Sequence, residues 1–353
     1  MTIKETVEFD PNALAQKDAG IFGLPFDTQT ARQVIIPVPW EATVSYREGT
    51  ARGPRAILKA SMQVDLYDAD APDAWKFGIA MDDFSPELEE LSHNARLDAE
   101  KYIEMLEEGE TPDETPKMKE LLDRVNKSCE EMNAWVQTRA AQWIEQGKLV
   151  SLVGGDHSTP LGLLRELGNH HKEFGILHFD AHADLRDAYE GFKYSHASIM
   201  FNVLEIKSMK KMVQVGIRDY CDAEIKTVAQ SKGRIVPMYD RDVKARLFEG
   251  EPWREICDEI TNQLPQKVYV SFDIDGLDPK LCPNTGTPVP GGLEFEEALF
   301  LVRQLVRSGR QIIGFDVNEV APGEDEDNEW DANVGARLLY RIAGLAAVSN
   351  KWV

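Results

Sequence analysis

Long apolar runs are missing from this chain of 353 residues. No uninterrupted hydrophobic stretch approaches the roughly 20 residues that a membrane helix needs. The opening residues MTIKETVEFD also lack the basic and then apolar pattern of a secretory signal. These two absences predict a cytoplasmic protein without a membrane partner.

Cysteine is scarce as well. The four cysteines are far apart in sequence and include no C-x-x-C pair, so neither a disulfide framework nor a thiolate zinc site is predicted. We expect reduced and mostly buried thiols at Cys129, Cys221, Cys257 and Cys282.

Basic side chains are outnumbered by acidic ones. There are 39 lysines and arginines against 61 aspartates and glutamates, and the formal net charge is -22. Nucleic acids and anionic membranes bind basic surfaces, so neither is predicted as a partner. The charge favours a small cationic substrate, but an acidic solvated surface would produce the same excess.

Short apolar runs alternate with stretches of helical spacing. Alternation of strand and helix implies parallel strands covered by helices, so the sequence predicts one α/β domain. Helices are expected, for example, at residues 159–167 and 294–308. The expected strands are residues 34–38, 149–153, 175–179, 212–217, 234–238, 267–272 and 311–315.

Residues from about 82 to 147 differ in composition, being rich in Glu, Lys, Met and Leu at helical spacing. The segment EEGETPDETPK interrupts this stretch, which predicts helices around a loop. We find no internal repeat and no low-complexity tract. The sequence therefore predicts a helical insertion at about 82–147 within a single domain of residues 1–353.

Acidic and imidazole side chains follow three of the predicted strands. In FDAHAD, Asp180, His182 and Asp184 alternate, and alternate residues of an extended chain face the same side. In SFDIDGLDP, Asp273 and Asp275 have the same spacing, and two such carboxylates repel each other unless a cation neutralises them. Taken singly, each motif is also compatible with an ordinary polar turn, although the second lacks the later ligands of an EF-hand.

A third motif, GGDHS, brings Asp156 and His157 to the end of another predicted strand. The carboxyl ends of parallel strands meet at one edge of a sheet, where open α/β folds bind ligands. Six side chains of these types suit two divalent ions better than one. The predicted metal ligands are His157, Asp180, His182, Asp184, Asp273 and Asp275.

The metal and one further carboxylate can also be argued from residue type. Ligands of oxygen and imidazole without thiolate favour Mn2+, with Ni2+ as the main alternative and Fe or Zn also compatible. Glu319 ends the predicted strand in IIGFDVNEVAP, where it would hold a planar guanidinium cation through charge-assisted hydrogen bonds. A solvated glutamate, or one that only supports a metal ligand, is the alternative.

In this order, GGDHS, DAHAD and SFDIDGLDP resemble the marks of the arginase and agmatinase family of ureohydrolases. The blocks span residues 154–279, and weaker resemblance extends from EGTARGPRAILKAS to GFDVNEVAP. The resemblance implies a three-layer αβα fold with a central parallel sheet of about eight strands. It also implies an N-terminal extension at about 1–30 and assembly into homotrimers or homohexamers.

The resemblance implies roles for individual residues. Asp180 and Asp273 would bridge two metal ions in each subunit. His196, in KYSHASIM, matches the family's proton-shuttling histidine and is expected to have a pKa near neutral. Glu319 matches the guanidinium-binding glutamate. The remaining ligands would be His157 and Asp184 on one metal, and His182 and Asp275 on the other.

The implied reaction is hydrolysis of a guanidino C–N bond by hydroxide formed at the metals, with release of urea. The stretch LRDAYEGFKYS resembles agmatinases rather than arginases, so we expect an agmatine-like compound or free guanidine rather than arginine. Asn318 departs from agmatinase-like members, which often carry an apolar residue there. On a strand it should face away from Glu319 and affect only packing.

Other functions remain open on these residues. A formimidoylglutamate hydrolase or an arginase would use the same metal centre on a different substrate. A catalytically silent metal-binding homologue would keep the cluster, but the presence of His196 and Glu319 argues against it. A two-metal phosphatase or nuclease is disfavoured because only the isolated Arg186 and Arg218 accompany the motifs, and ion-pair or surface roles are expected for both.

Overall fold

The computed structural model describes residues 9–16, 19–325 and 328–352. Its strands form one sheet in which every pairing is parallel, in the order β2-β1-β3-β8-β7-β4-β5-β6. The prediction of about eight parallel strands is confirmed. The strands are β1 (Gln33–Val38), β2 (Ile79–Met81), β3 (Leu149–Gly154), β4 (Phe174–Phe179), β5 (Met209–Ile217), β6 (Ile235–Tyr239), β7 (Lys267–Phe272) and β8 (Gln311–Val317).

The α-helices of the described residues connect these strands. The two helices that the sequence predicts for residues 159–167 and 294–308 correspond to α4 and α9. The helices are α1 (Gly53–Ser61), α2 (Pro86–Glu107), α3 (Pro116–Glu145), α4 (Leu161–His170), α5 (Ile199–Val203), α6 (Asp222–Gln230), α7 (Asp240–Phe248), α8 (Trp253–Gln263), α9 (Phe295–Arg307) and α10 (Trp330–Ser349).

Helices cover both faces of the sheet. Along β1, Val34 and Ile36 pack into a buried cluster with α2, α3 and α4, whereas Ile35 packs into a second cluster with α1, α8, α9 and α10. This alternation follows from the two-residue period of a strand. Both faces of the strand are apolar because a parallel sheet is buried on both sides. The three-layer αβα prediction is confirmed.

Strand β2 is absent from the sequence-based expectation. It has three residues and pairs with β1 at one end of the sheet. Three residues are too few to show a period in hydrophobicity. The prediction therefore missed it, whereas the seven other strands lie where the apolar runs place them.

A pair of long helices, α2 and α3, occupies the segment predicted to be helical. α2 begins with Pro86 in its first turn, and the Ser85 hydroxyl accepts a hydrogen bond from the Leu88 amide. That this pair is an insertion stays a prediction, as does the N-terminal extension at about 1–30. Residues 1–8, 17 and 18 of that extension lie outside the described residues.

Two further expectations concern the whole chain. Within the described ranges, no helix is long and apolar enough to cross a bilayer. All four cysteines are free thiols, three of them buried and Cys221 half-buried. The prediction of reduced, mostly buried thiols is confirmed.

Candidate metal centre

The carboxyl edge of the sheet, meaning the residues that directly follow the carboxyl ends of β3, β4, β7 and β8, collects the predicted site residues. The sequence led us to expect that strand alternation would bring these side chains together. In the structure it does not. β4 ends at Phe179, and Asp184 adopts a left-handed backbone with φ of 53°. Asp275 lies in the short turn Ile274–Gly276, where its amide donates to Asp273 Oδ1 at 2.8 Å. Turns therefore bring these side chains together.

The turn after β3 requires glycine. A Cβ on Gly155 would lie 1.8 Å from the Trp40 carbonyl oxygen, and a Cβ on Gly154 would lie 2.0 Å from Asn318 Oδ1. Neither contact leaves room for a side chain. The two glycines of GGDHS thus let this segment pass close to the β1 and β8 loops, which delivers His157 to the centre of the carboxyl edge.

Three carboxylates surround one nitrogen of His157. Nδ1 lies 3.0 Å from Asp180 Oδ2, 3.3 Å from Asp184 Oδ2 and 3.3 Å from Asp273 Oδ2. All four side chains are buried, since their exposed fractions are 0 to 5%. Burial opposes a charge on His157, but the three carboxylates outweigh it and hold the pKa of this imidazole well above its usual range.

The hydrogen atoms around His157 show why a cation is needed. His157 Nε2 lies 2.9 Å from Ser271 Oγ, which donates to Asp316 Oδ1 at 3.1 Å. A hydroxyl has one hydrogen, so Ser271 must accept from His157 Nε2. Nδ1 of the neutral ring then carries no hydrogen although it faces three carboxylates. A proton or a metal ion is required among them.

A second set of donors lies around His182. Its Nδ1 is 3.1 Å from Asp275 Oδ2 and 3.5 Å from Asp180 Oδ1. Asp275 and Asp180 raise the pKa of His182 well above its usual range, against the effect of burial. The His182 side chain keeps 24% of its surface exposed. This side of the cluster is therefore the one that solvent or a small molecule can reach.

The carboxylates repel one another. Burial raises the pKa of Asp184 to about 7, and the charge of Asp180 adds to the rise. Burial, with Asp275 and Asp180, holds the pKa of Asp273 well above its usual range. Burial would also raise the pKa of Asp180. The neighbouring imidazoles, above all His178, outweigh burial and hold that pKa well below its usual range. The imidazoles offset these carboxylates only in part, and divalent cations would supply the remaining positive charge.

The donor atoms fall into two sets that share one carboxylate. Within each set the donor atoms lie within 4.8 Å of one another. Carboxylate and imidazole donors at this spacing fit divalent metal ions, and no thiolate is among them. The first donor group is His157, His178, Asp180 and Asp184, and the second donor group is Asp180, His182 and Asp275.

The predicted ligands and the donor groups agree in part. Five of the six predicted ligands belong to a donor group. Asp273 belongs to neither, but its Oδ2 lies 3.3 Å from His157 Nδ1. His178 belongs to the first donor group and was not predicted. It lies inside the apolar run of β4, where the sequence offers no sign beyond a polar residue in a buried strand.

Glu319 lies beside the first donor group. Its Oε1 accepts a hydrogen bond from the His157 amide at 2.8 Å, and its backbone has a φ of 62°. Burial, together with the negative charge of Asp156, holds the pKa of Glu319 well above its usual range. Burial also raises the pKa of Asp156 to about 7, and its Oδ2 has no hydrogen-bond partner among the described residues. A bound cation would offset the negative charge of both carboxylates.

His196 begins a short turn, His196–Ser198, after the loop that follows Asp184. Burial lowers the pKa of His196 to about 4, and positive charge on His182 and His157 lowers it further. This differs from the near-neutral pKa that the sequence led us to expect. Little polar contact offsets the burial, since Ser195 Oγ lies 3.5 Å from Nδ1.

Two other residues differ from expectation. Asn318 accepts from Thr159 Oγ1 at 2.9 Å and donates to Asp316 Oδ1, so it joins the β3 and β8 loops rather than only filling space. Arg218 is half-buried and forms no salt bridge in the described part of the chain. Its guanidinium donates to backbone carbonyls, including Asp275 O at 2.7 Å, and so supports the loop that carries a predicted ligand.

Comparison with known proteins agrees with this geometry. Residues 31–344 match the Arginase family. The chain is 31% identical to the N(1)-aminopropylagmatine ureohydrolase of Thermus thermophilus, over 92% of this chain and 94% of that protein. It is 28% identical to an agmatinase of Neisseria meningitidis, over 93% and 94%.

The fold is also found in solved structures. Proclavaminate amidino hydrolase from Streptomyces clavuligerus superposes with a TM-score of 0.71 and 23% identity, over 96% of this chain and 99% of that one. At this identity the likeness concerns the fold alone. Because the family match covers most of the chain, this protein belongs to the Arginase family of hydrolases, which act on C–N bonds of linear amidines and use a binuclear divalent metal centre.

Proposed function

We propose that this chain hydrolyses the guanidino C–N bond of a small cationic guanidino compound, releasing urea together with an amine or ammonia. The observation that carries the proposal is the position of Glu319. This buried carboxylate is fixed against the His157 amide, directly beside a cluster that itself requires cations. A guanidinium group would neutralise Glu319 through charge-assisted hydrogen bonds, which places its carbon next to the cluster.

The six predicted ligands would hold the metal pair. Asp180 is common to both donor groups, which supports its assignment as a bridging ligand. When bound, two divalent ions supply a hydroxide at neutral pH and stabilise charge that develops on the substrate. Mn2+ is the first choice and Ni2+ the main alternative, because the donors are oxygen and imidazole.

The chain's own residues would perform the remaining steps. Glu319 would orient the guanidinium so that its carbon lies beside the cluster. Burial favours the neutral ring of His196, because it lowers the pKa to about 4. His196 would therefore accept a proton at one ring nitrogen during the reaction and pass that proton to the departing amine, rather than hold a proton beforehand.

The substrate class follows from charge. Glu319 and Asp156 place two buried carboxylates near the proposed binding site. They favour cations such as agmatine or free guanidine, and they oppose the anionic formimidoylglutamate. The relatives named for agmatine and N(1)-aminopropylagmatine support a guanidino substrate with a cationic tail.

The test is a urea-release assay after reconstitution with Mn2+ and, in parallel, with Ni2+. The panel contains guanidine, agmatine, N(1)-aminopropylagmatine, 4-guanidinobutyrate, arginine and formimidoylglutamate, with ammonia and formamide measured separately. We expect urea from at least one cationic compound that lacks an α-carboxylate. Turnover of arginine or formimidoylglutamate alone would overturn the proposed substrate, and no turnover by a fully metallated protein would overturn the activity.

Assembly and location remain predictions. The resemblance implies a homotrimer or homohexamer, which sedimentation analysis of the purified protein would test. The expected cytoplasmic location would be tested by fractionation of the producing cells.

A further inference from the structure

His178 lies at the centre of the candidate metal centre but outside the predicted ligand set. It is fully buried in β4, and its Nε2 lies 2.8 Å from Asp180 Oδ2. The centroids of the His178 and His157 rings are 5.2 Å apart. By distance alone, His178 is as eligible to bind a metal as the other members of the first donor group.

The hydrogen bonds of Gln214 decide between ligand and donor. Gln214 Nε2 lies 2.7 Å from the Ala183 carbonyl oxygen, which can only accept. The amide nitrogen, and not the amide oxygen, must therefore occupy this position. Its second hydrogen points to His178 Nδ1 at 2.9 Å. Nδ1 is consequently an acceptor without a hydrogen.

The neutral His178 ring then carries its single hydrogen on Nε2. An Nε2 that bears a hydrogen has no lone pair for a metal ion, but it can donate to Asp180 Oδ2. Asp180 also accepts from the His182 amide through Oδ1 at 2.6 Å. Each oxygen of the carboxylate shared by the two donor groups is thus held by a different hydrogen-bond donor.

We propose that His178, kept in its Nε2–H tautomer by Gln214, is a positioning residue that orients Asp180 and is not itself a metal ligand. This inference rests on the proposed metal centre. The hydrogen bond fixes the direction of the Asp180 oxygens before any cation binds. Loss of such a support for a metal ligand commonly weakens metal affinity or activity by about 10–100-fold.

The test compares substitutions that keep or remove the donor. His178→Gln places an amide N–H near the position of Nε2, whereas His178→Phe retains a ring without a donor. The matched control is His182→Gln, the same change at a proposed ligand. Metal affinity and stoichiometry are measured with Mn2+ and Ni2+ by chelator competition and elemental analysis.

We expect His178→Phe to bind both ions about 10–100-fold more weakly than the unaltered protein. His178→Gln should stay within a few-fold of it, and His182→Gln should lose metal. Loss of one ion by His178→Gln, or full affinity in His178→Phe, would overturn the inference. If the unaltered protein binds no pair of ions, the proposed function itself fails, which is a different result.

A measurement on the unaltered protein does not depend on whether variants fold. X-ray absorption at the metal edge counts imidazole ligands. We expect two imidazoles for each metal pair, from His157 and His182. Three imidazoles would make His178 a ligand and overturn the inference.

Discussion

The two edges of the sheet use charge in opposite ways. At the amino edge, meaning the residues at or just before the starts of the strands, basic side chains donate to backbone carbonyls. Arg234 donates to the carbonyls of Leu204, Ile206 and Met209. Arg310 donates to the Leu264 carbonyl, just after α8 ends. Helix ends leave such carbonyls unpaired, so these cations are used within the fold.

At the carboxyl edge the anions also accept hydrogen bonds from backbone amides, as Asp273 does from Asp275, but their negative charges are not balanced. Asp184 and Asp273 face the same imidazole nitrogen as Asp180, and the pKa of each of these two carboxyls is raised. Among the described residues, the ion-pair partners of these three carboxylates are histidines and not lysine or arginine. The cations of the amino edge are used by the backbone, whereas the excess negative charge of these three carboxylates is available to a ligand. The comparison separates residues kept for stability from those kept for function.

The largest effect on metal binding and activity should follow from Asp180→Asn, a substitution at the carboxyl edge. The amide keeps the shape but removes the negative charge shared by both donor groups. Substitution of a residue that supports a metal ligand lowers metal affinity by roughly 10–100-fold, and we expect a larger loss here. Urea release should be lost with the metal. Elemental analysis and the urea assay check this.

A charge-matched control for that variant is Asp242→Asn, an exposed position on α7. It should leave metal content and turnover unchanged. Full metal content with normal turnover in Asp180→Asn would contradict the assignment of Asp180 as a ligand.

The next effect should come from Glu319→Gln, which separates substrate binding from metal binding. Gln retains an oxygen for the His157 amide, so both ions should remain. Removing one partner of a buried charge pair costs about 2–5 kcal/mol, and kcat/KM for the guanidino substrate should fall accordingly. Steady-state kinetics with parallel metal analysis would test it, and loss of metal would assign Glu319 to the metal centre instead.

His196→Ala should lower kcat by about a hundredfold, within the usual range for a group that transfers a proton, with metal content unchanged. The control is His170→Ala, at the end of α4 on the amino edge, where the imidazole pairs with Glu166. That variant should keep normal kcat. Equal kcat values for the two variants would exclude a role for His196 in proton transfer.

The smallest effect on catalysis should come from Arg234→Ala, a substitution at the amino edge that should affect stability alone. Carbonyls that lose a charged donor destabilise the fold by about 1–3 kcal/mol. We expect a lower unfolding midpoint with unchanged metal content and turnover in the folded protein. A selective loss of turnover without loss of stability would show that the two edges are not separable in this way.

Sequence alone predicted the layers and most strands because buried parallel strands are continuous apolar runs. It also placed His157, Asp180 and Asp184 together, since their motifs follow strands that share an edge. The extended backbone that the sequence predicted for these motifs was wrong, however. The left-handed conformation of Asp184 and the turn at Asp275 depend on contacts between distant segments.

His178 and Asp316 were missed for a different reason. Both are polar residues within apolar runs, at β4 and β8, and each acts through a partner from another strand. His178 depends on Gln214 of β5, and Asp316 contacts Ser271 of β7. Only the register between strands, which a single sequence does not contain, brings these pairs together.

The place of β8 in the sheet bears on how the protein is made. β8 is the last strand of the described chain, yet it lies between β3 and β7 and is the link that joins the two halves of the sheet. His157 follows β3 on one side of it, while Asp180 and Asp273 follow strands on the other. During synthesis these halves cannot be joined until residue 317 has left the ribosome, so the proposed metal pair would be bound only after β8 has emerged.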